Sequence, residues 1–220
     1  MKYEGKEVSD EVLAEALESL SEAQQDLIGR IQEAEKEFTE VYGVLLADTK
    51  EAARLYSELG GQFYERSVLR ALFVLVEGTV NCARHVLLTA ADAPGLISSA
   101  EVALLRQEFN DLNDKGHVVS RPHYQKLRRT MLFVSRLYAD LCGSDFEIDK
   151  GGTGWESFLQ AIQFRNGITH PGPARKLELD KNDHEIVVRA MAFIWDVSQR
   201  LFIDHFVSVG VALRLQHKTS

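Results

Sequence analysis

Apolar residues recur at helical spacing along most of the chain. Between Leu27 and Leu55, the positions Ile31, Phe38, Leu45 and Ala52 repeat at seven, and Leu27, Ala34, Val41 and Leu55 fill the intervening turns. This period predicts a long amphipathic helix. Its stripe needs a partner face, which its own chain, a second copy or another protein could supply. Ser21 with Gln24 is a capping-box start, and Gly60-Gly61 is the stop. Gly29 and Gly43 weaken the helix by about 1 kcal/mol each relative to alanine. A short helix precedes it. A second long helix is expected over residues 62–91, stopped by Ala93-Pro94-Gly95, and Ser98 with Glu101 caps a third that runs to about Asn113. Arg121-Pro122 opens another that reaches Cys142-Gly143. Thr153 with Glu156 starts a helix that His170-Pro171 must end, because the residue before proline is pushed out of the α region. The last helix is expected from about Asn182 to Leu215, with Ile186, Ala190, Phe193, Val197 and Leu201 on its apolar side. No stretch alternates convincingly between paired turns, and no internal repeat is found. The pattern predicts an all-α bundle over residues 61–220 with an N-terminal acidic helical arm over residues 1–60.

Charge sharpens that division. The 220 residues carry 33 acids and 25 bases, a net of −8. Residues 1–60 hold 15 acids and 6 bases, net −9, so residues 61–220 stand at +1. The acidity therefore belongs to the arm, which suits a protein partner or regulator. Lys115 to Arg136 holds six Lys or Arg, two His and no acid. Lys126, Arg128 and Arg129 within it are candidates for contacting a polyanion such as RNA, the alternative being one solvated helix face. The first 20 residues lack a signal-type apolar block, and the longest strongly apolar run, Ala71–Val76, is far short of the roughly 20 residues a membrane span needs. No membrane partner is expected. Cys82 and Cys142 form no CxxC pair or disulfide framework, in keeping with a reducing, cytoplasmic setting.

Several constellations reduce to structure. Gly151-Gly152-Thr153-Gly154 precedes a helix start, but no GKS or GKT follows and no strand precedes, so it reads as a loop with an N-cap. His117 and His123 have no Cys or carboxylate at ligand spacing nearby. No metal and no cofactor is expected. Asp183-His184-Glu185 is accounted for by acids favouring a helix N-terminus. Two segments resist this reduction. In ALFVLVEGTVNCARHVLL, the polar residues Glu77, Asn81, Arg84 and His85 fall at i, i+4, i+7 and i+8, on one helical face. Glu77, between Val76 and Gly78, needs a cationic or hydrogen-bonding partner if buried. The stripe is either a solvated surface or the wall of a polar cleft.

The other segment is Arg165-Asn166-Gly167-Ile168-Thr169-His170-Pro171. The proline puts His170 at or just past a helix C-terminus, where the dipole favours a cation. Ideal helix would separate Arg165 and His170 by about 140°; leaving the helix lets the histidine swing back toward the arginine, with Gly167 leaving room for approach. A second Arg-to-His match, Arg200 to His205, lies mid-helix with an apolar residue after the arginine and reads as chance.

RNGITHP at a helix end resembles the RNxxxH signature of the HEPN superfamily, and ALFVLVEGTVN resembles the glutamate-bearing upstream helix of many such domains. The resemblance covers most of residues 62–215 and leaves residues 1–60 unexplained. It implies a HEPN-like helical bundle, usually a homodimer in which two RNxxxH segments meet. It also implies a metal-independent endoribonuclease of defence, toxin or RNA-processing systems. Arg165 would contact the scissile phosphate and His170 would transfer protons, with Asn166 holding the geometry and Glu77 orienting one of the pair. Pro171-Gly172 after the histidine departs from the His-x-Tyr continuation of toxins paired with nucleotidyltransferase antitoxins, which favours a stand-alone or defence-associated nuclease. Some HEPN-like bundles are instead non-catalytic dimeric adaptors or nucleotide- or RNA-sensing modules.

Overall fold

The computed structural model describes residues 2–3, 6–7, 9–112, 114–123, 125–170, 173 and 177–219. Among these, the protein is an all-α bundle. Its helices are α1 (Asp10–Glu18), α2 (Glu22–Leu59), α3 (Gln62–Ala90), α4 (Ser99–Arg106), α5 (Leu127–Cys142), α6 (Thr153–Thr169), α7 (Lys181–Val197) and α8 (Val207–Thr219). Two small antiparallel ladders accompany them: β1 (Lys2–Tyr3) with β2 (Lys6–Glu7), and β3 (Glu108–Leu112) with β4 (Val118–Pro122).

Local chemistry sets the boundaries. Gly60 and Gly61 end α2 at φ 63° and 87°, a left-handed backbone that costs glycine little. Ser98 and Glu101 make the reciprocal capping box at α4 that the sequence predicts. Asp180 and Asp183 do the same for α7. The helix expected to run on to Asn113 stops at Arg106, because Gln107 turns left-handed at φ 55° and begins a hairpin. The hairpin closes at its base where His123 N–H donates to the Gln107 carbonyl at 2.7 Å. Phe109 and Leu112, three apart, imitate a helical stripe, which is why this segment reads as helix. Pro122 then ends a strand instead of opening a helix; it has no N–H to give a ladder and sits at the ladder's end. At α6 the N-cap is Gly152, so the expected Thr153–Glu156 capping box does not form. The single long C-terminal helix is broken. A π-helical turn, Ser198–Ile203, separates α7 from α8, and the adjacent Leu201 and Phe202 are both buried there.

The chain forms two compact units, and residues 1–60 contribute to both. One unit comprises Met1–Phe38, Val80–Glu147 and Leu201–Ser220. Here the stripe of α2 finds its partner face in its own chain: Leu27, Ile31, Ala34 and Phe38 are buried. Phe38 meets Phe202 with ring centroids 5.7 Å apart, and Phe202 meets Tyr138 edge-on at 5.0 Å. Gly210 of α8 lies directly on the Leu141 carbonyl of α5, an approach that any side chain would obstruct. Arg84 of α3 donates from Nε to the Leu105 carbonyl at 2.8 Å, satisfying the C-terminal end of α4.

The other unit comprises Thr39–Thr79 and Ile148–Arg200. Its core joins Leu69, Leu72 and Phe73 of α3 to Trp155 and Phe158 of α6 and Ile194 of α7. The rings of Phe73 and Phe158 stack at 6.2 Å, and Phe193 packs against Trp155 and Phe158 at 6.0 Å each. The α2 stripe is looser here, where Leu45 and Leu55 are half-buried and Val41 is exposed. By length and composition α3 does reach what a membrane crossing needs, contrary to the expectation drawn from the uninterrupted run alone. Half of its most apolar window is buried inside the protein.

Candidate functional site

The polar stripe of α3 divides by what each side chain touches. Glu77 accepts from Arg165 Nη2 at 2.5 Å, across 88 residues of sequence. Arg84 turns instead to Leu105 and to Asn81 Oδ1, at 3.1 Å from its Nη1. His85 is exposed. Of the two readings of the stripe, a solvated surface describes His85, while Glu77 has the cationic partner its position requires.

Arg165 lies about one turn from the end of α6, and three contacts fix its guanidinium. Nη2 donates to Glu77, Nη1 donates to Asn166 Oδ1 at 3.3 Å, and the central carbon stands 5.9 Å from the Phe73 ring centroid. The side chains of Arg165 and Glu77 remain 32% and 42% exposed, so this is a held ion pair open to a ligand. A guanidinium has more N–H donors than these two bonds use, and those left over suit a phosphate. The contact with Phe73 adds a cation–π attraction of about 1 kcal/mol. Asn166 is itself exposed, and its backbone carbonyl accepts from His170 N–H at 2.9 Å. That bond is the last helical one of α6. His170 then leaves the helix at φ −122° and ψ 73°, with its ring exposed and without a partner among the described residues. Pro171 and Gly172 lie outside the described residues. Thr169 Oγ1 donates to the Arg165 carbonyl at 2.8 Å, tying the final turn down.

Glu77, Arg165 and Asn166 are therefore brought together, while the His170 ring joins none of them. Phe73, beneath the arginine, was missed by sequence reading; its spacing of four from Glu77 is the signal that places it on the same face of α3. A second polar cluster was also missed. Glu65 is buried, its Oε1 lies 3.7 Å from His184 Nδ1, and the Tyr56 ring lies tilted against the His184 ring with centroids 4.5 Å apart. Burial first, then the Asp183 and Asp180 charges, push the Glu65 carboxyl above its ordinary range. Gln62 bonds Leu179 in both directions, with the N–H of Leu179 donating to Oε1 and Nε2 donating to the Leu179 carbonyl. This cluster fastens the start of α3 to the start of α7, a structural role that the helix-start reading of Asp183-His184-Glu185 anticipates only in part.

The basic candidates stand in the other unit. Lys126 is the N-cap of α5 without a side-chain cap bond, and Arg128 and Arg129 occupy its first turn, where no acid is present. All three are exposed and lack an ion-pair partner among the described residues. Arg136, by contrast, bonds Glu101 at 2.9 Å and Asp140 at 2.8 Å. Lys126, Arg128 and Arg129 are thus cations without an ion-pair partner among the described residues, and the far end of the acid-free run is a solvated, paired helix face. Among the described residues, no three His, Cys, Asp or Glu side chains gather as a metal site would require.

Comparison with known protein families, curated proteins and solved structures returns no match to this chain.

Proposed function

We propose that this chain is a metal-independent endoribonuclease of HEPN type, acting in a defence or toxin-like setting at a site completed by a second copy. The observation that carries this reading is the Arg165 guanidinium clamped by Glu77 and Asn166 over Phe73, five residues before an exposed histidine at the helix end. In the reaction, a neutral imidazole of His170 takes the proton of an RNA 2′-hydroxyl, the 2′-oxygen attacks the adjacent phosphorus, and the bond to the 5′-oxygen breaks. The protonated His170 of the second copy delivers a proton to the leaving oxygen. Arg165 carries the charge that builds on the non-bridging oxygens, and Glu77 keeps it in place without neutralising every donor. The products are a 2′,3′-cyclic phosphate and a 5′-hydroxyl.

The test is incubation of the full chain with mixed single-stranded and structured RNAs in EDTA, beside His170→Ala. Wild-type cleavage with cyclic phosphate ends, reduced by about 10²- to 10⁴-fold in the variant, is the expected result. Equal cleavage by both proteins, or loss of activity with chelator, would remove this mechanism. A non-catalytic adaptor or sensing module is the second reading. It is favoured by the His170 ring, which no group among the described residues orients as a general base ordinarily is.

A further inference from the structure

We propose that one face of the β3–β4 hairpin, together with the first turn of α5, binds single-stranded nucleic acid, a base stacking on Phe109 and the phosphates lying along Lys126, Arg128 and Arg129. The preference for RNA over DNA rests on the proposed function; the surface itself does not.

The ladder register sets Phe109 opposite Arg121, and cross-strand partners leave a sheet on the same side. His123, two residues further along, falls on that side too, and its ring centroid is 6.3 Å from that of Phe109. Phe109 is 55% exposed. A lone exposed phenylalanine needs no explanation, but this one is flanked by an arginine and a histidine, and Lys126, Arg128 and Arg129, without an ion-pair partner among the described residues, follow that histidine at three, five and six positions. Asp111, opposite Val119, is the acid on this face, and it holds Arg121 at 3.8 Å. Lys126, Arg128 and Arg129 have no such counter-charge among the described residues. An aromatic platform beside unpaired cations is what a single strand requires, since every base offers a π face and every nucleotide a phosphate. A duplex hides those base faces. An acidic peptide would use the cations and leave Phe109 idle.

The experiment measures fluorescence anisotropy of a labelled, 2′-O-methylated strand of about twelve nucleotides, which cannot be cut through its 2′-oxygen, with the full-length protein at about 50 mM salt. Wild type should bind, Phe109→Ala should weaken binding by about tenfold, and Phe109→Trp should restore it. Arg128→Gln with Arg129→Gln should lower the slope of log affinity against log salt by about 1.4. Equal binding of a DNA strand of the same sequence supports the surface and assigns it to single strands generally. No binding by wild type overturns the proposal. So does Phe109→Ala binding as wild type does, and if the double arginine variant alone is weakened, the surface is a general polyanion site of the kind an acidic peptide would use. None of these variants touches Arg165 or His170. Absent RNA cleavage would remove the nuclease reading and leave the binding result standing, while normal binding by Phe109→Ala would remove the surface and leave cleavage standing.

Discussion

Glu35 and Glu77 each interrupt the apolar side of a long helix, and the two compact units treat them in opposite ways. Glu35 is only 6% exposed and meets neutral donors: Ser208 Oγ at 2.6 Å and Ser208 N–H at 3.2 Å, in the first turn of α8. Burial pushes its carboxyl above the ordinary range, and the hydrogen bonds from Ser208 and Val207 offset only part of that. Burial likewise holds the Tyr138 hydroxyl and the Cys142 thiol beside it well above their usual values. Glu77 keeps 42% of its side chain in solvent and faces a guanidinium. A sealed carboxyl among neutral donors fastens a helix end, whereas an accessible one paired with an arginine can hold that arginine for a ligand. Burial and partner separate the two glutamates, since the residue type is the same.

The largest contrast is expected at a glycine near each glutamate. Gly210, two residues past Ser208, would place a new Cβ against the Leu141 carbonyl and Cys142 Cα, both main-chain atoms that cannot rotate away. Gly210→Ala should therefore destabilise the protein by about 3 kcal/mol, read as a lower urea midpoint. Gly78, next to Glu77, would meet only the tip of the Leu45 side chain. Because that tip can change rotamer and alanine favours a helix interior by about 1 kcal/mol, Gly78→Ala should shift stability by less than about 1 kcal/mol. Equal losses in the two variants would show that both regions are packed with the same rigidity.

Next in size is the effect on chemistry. Under the proposed function Glu77 acts through Arg165, which makes it a positioning residue. Glu77→Ala should lower kcat for RNA cleavage by about tenfold, with a smaller change in KM. Glu77→Gln, which keeps an acceptor for the arginine, should recover part of the loss, and Glu35→Gln should leave cleavage unchanged. Similar losses for Glu35→Gln and Glu77→Ala would assign both residues to folding alone.

Most helices could be read from the sequence, because a period of 3.6 with glycine stops and Ser–Glu caps is local information. The Ser98–Glu101 box and the Gly60-Gly61 stop are of this kind. What could not be read depends on backbone that no local period encodes. Gln107 adopts a left-handed conformation that glycine would signal and glutamine does not, so the hairpin after it was hidden. The π-helical turn at Ser198–Ile203 keeps apolar residues in helical register and was hidden for the same reason. At the site, the need of Glu77 for a cation was legible from its apolar neighbours, and the RNxxxH resemblance singled out Arg165. Phe73 under the guanidinium was not sought, because an aromatic in a core helix is ordinarily only core.

The smallest expected effect concerns how stability varies with pH. With its carboxyl raised by burial, the folded state holds the Glu35 proton at pH values where the unfolded chain has released it. Folding therefore binds more protons than unfolding in that interval, and the sign of the linkage makes stability fall as pH rises. The contribution of Glu35 is fully present below the ordinary carboxylate value of about 4.5 and declines from there up to the raised value in the folded protein. Glu35→Gln removes the titration while keeping a neutral group that can accept from Ser208 N–H. At pH 4 the variant and wild type should agree within about 1 kcal/mol, and above that the wild-type curve should drop relative to the variant. Glu77→Gln, at the solvent-exposed glutamate, is measured alongside. Urea midpoints of the three proteins between pH 4 and 8 decide the matter, and curves for wild type and Glu35→Gln that run parallel throughout would mean that the carboxylate at position 35 is accommodated as an ion.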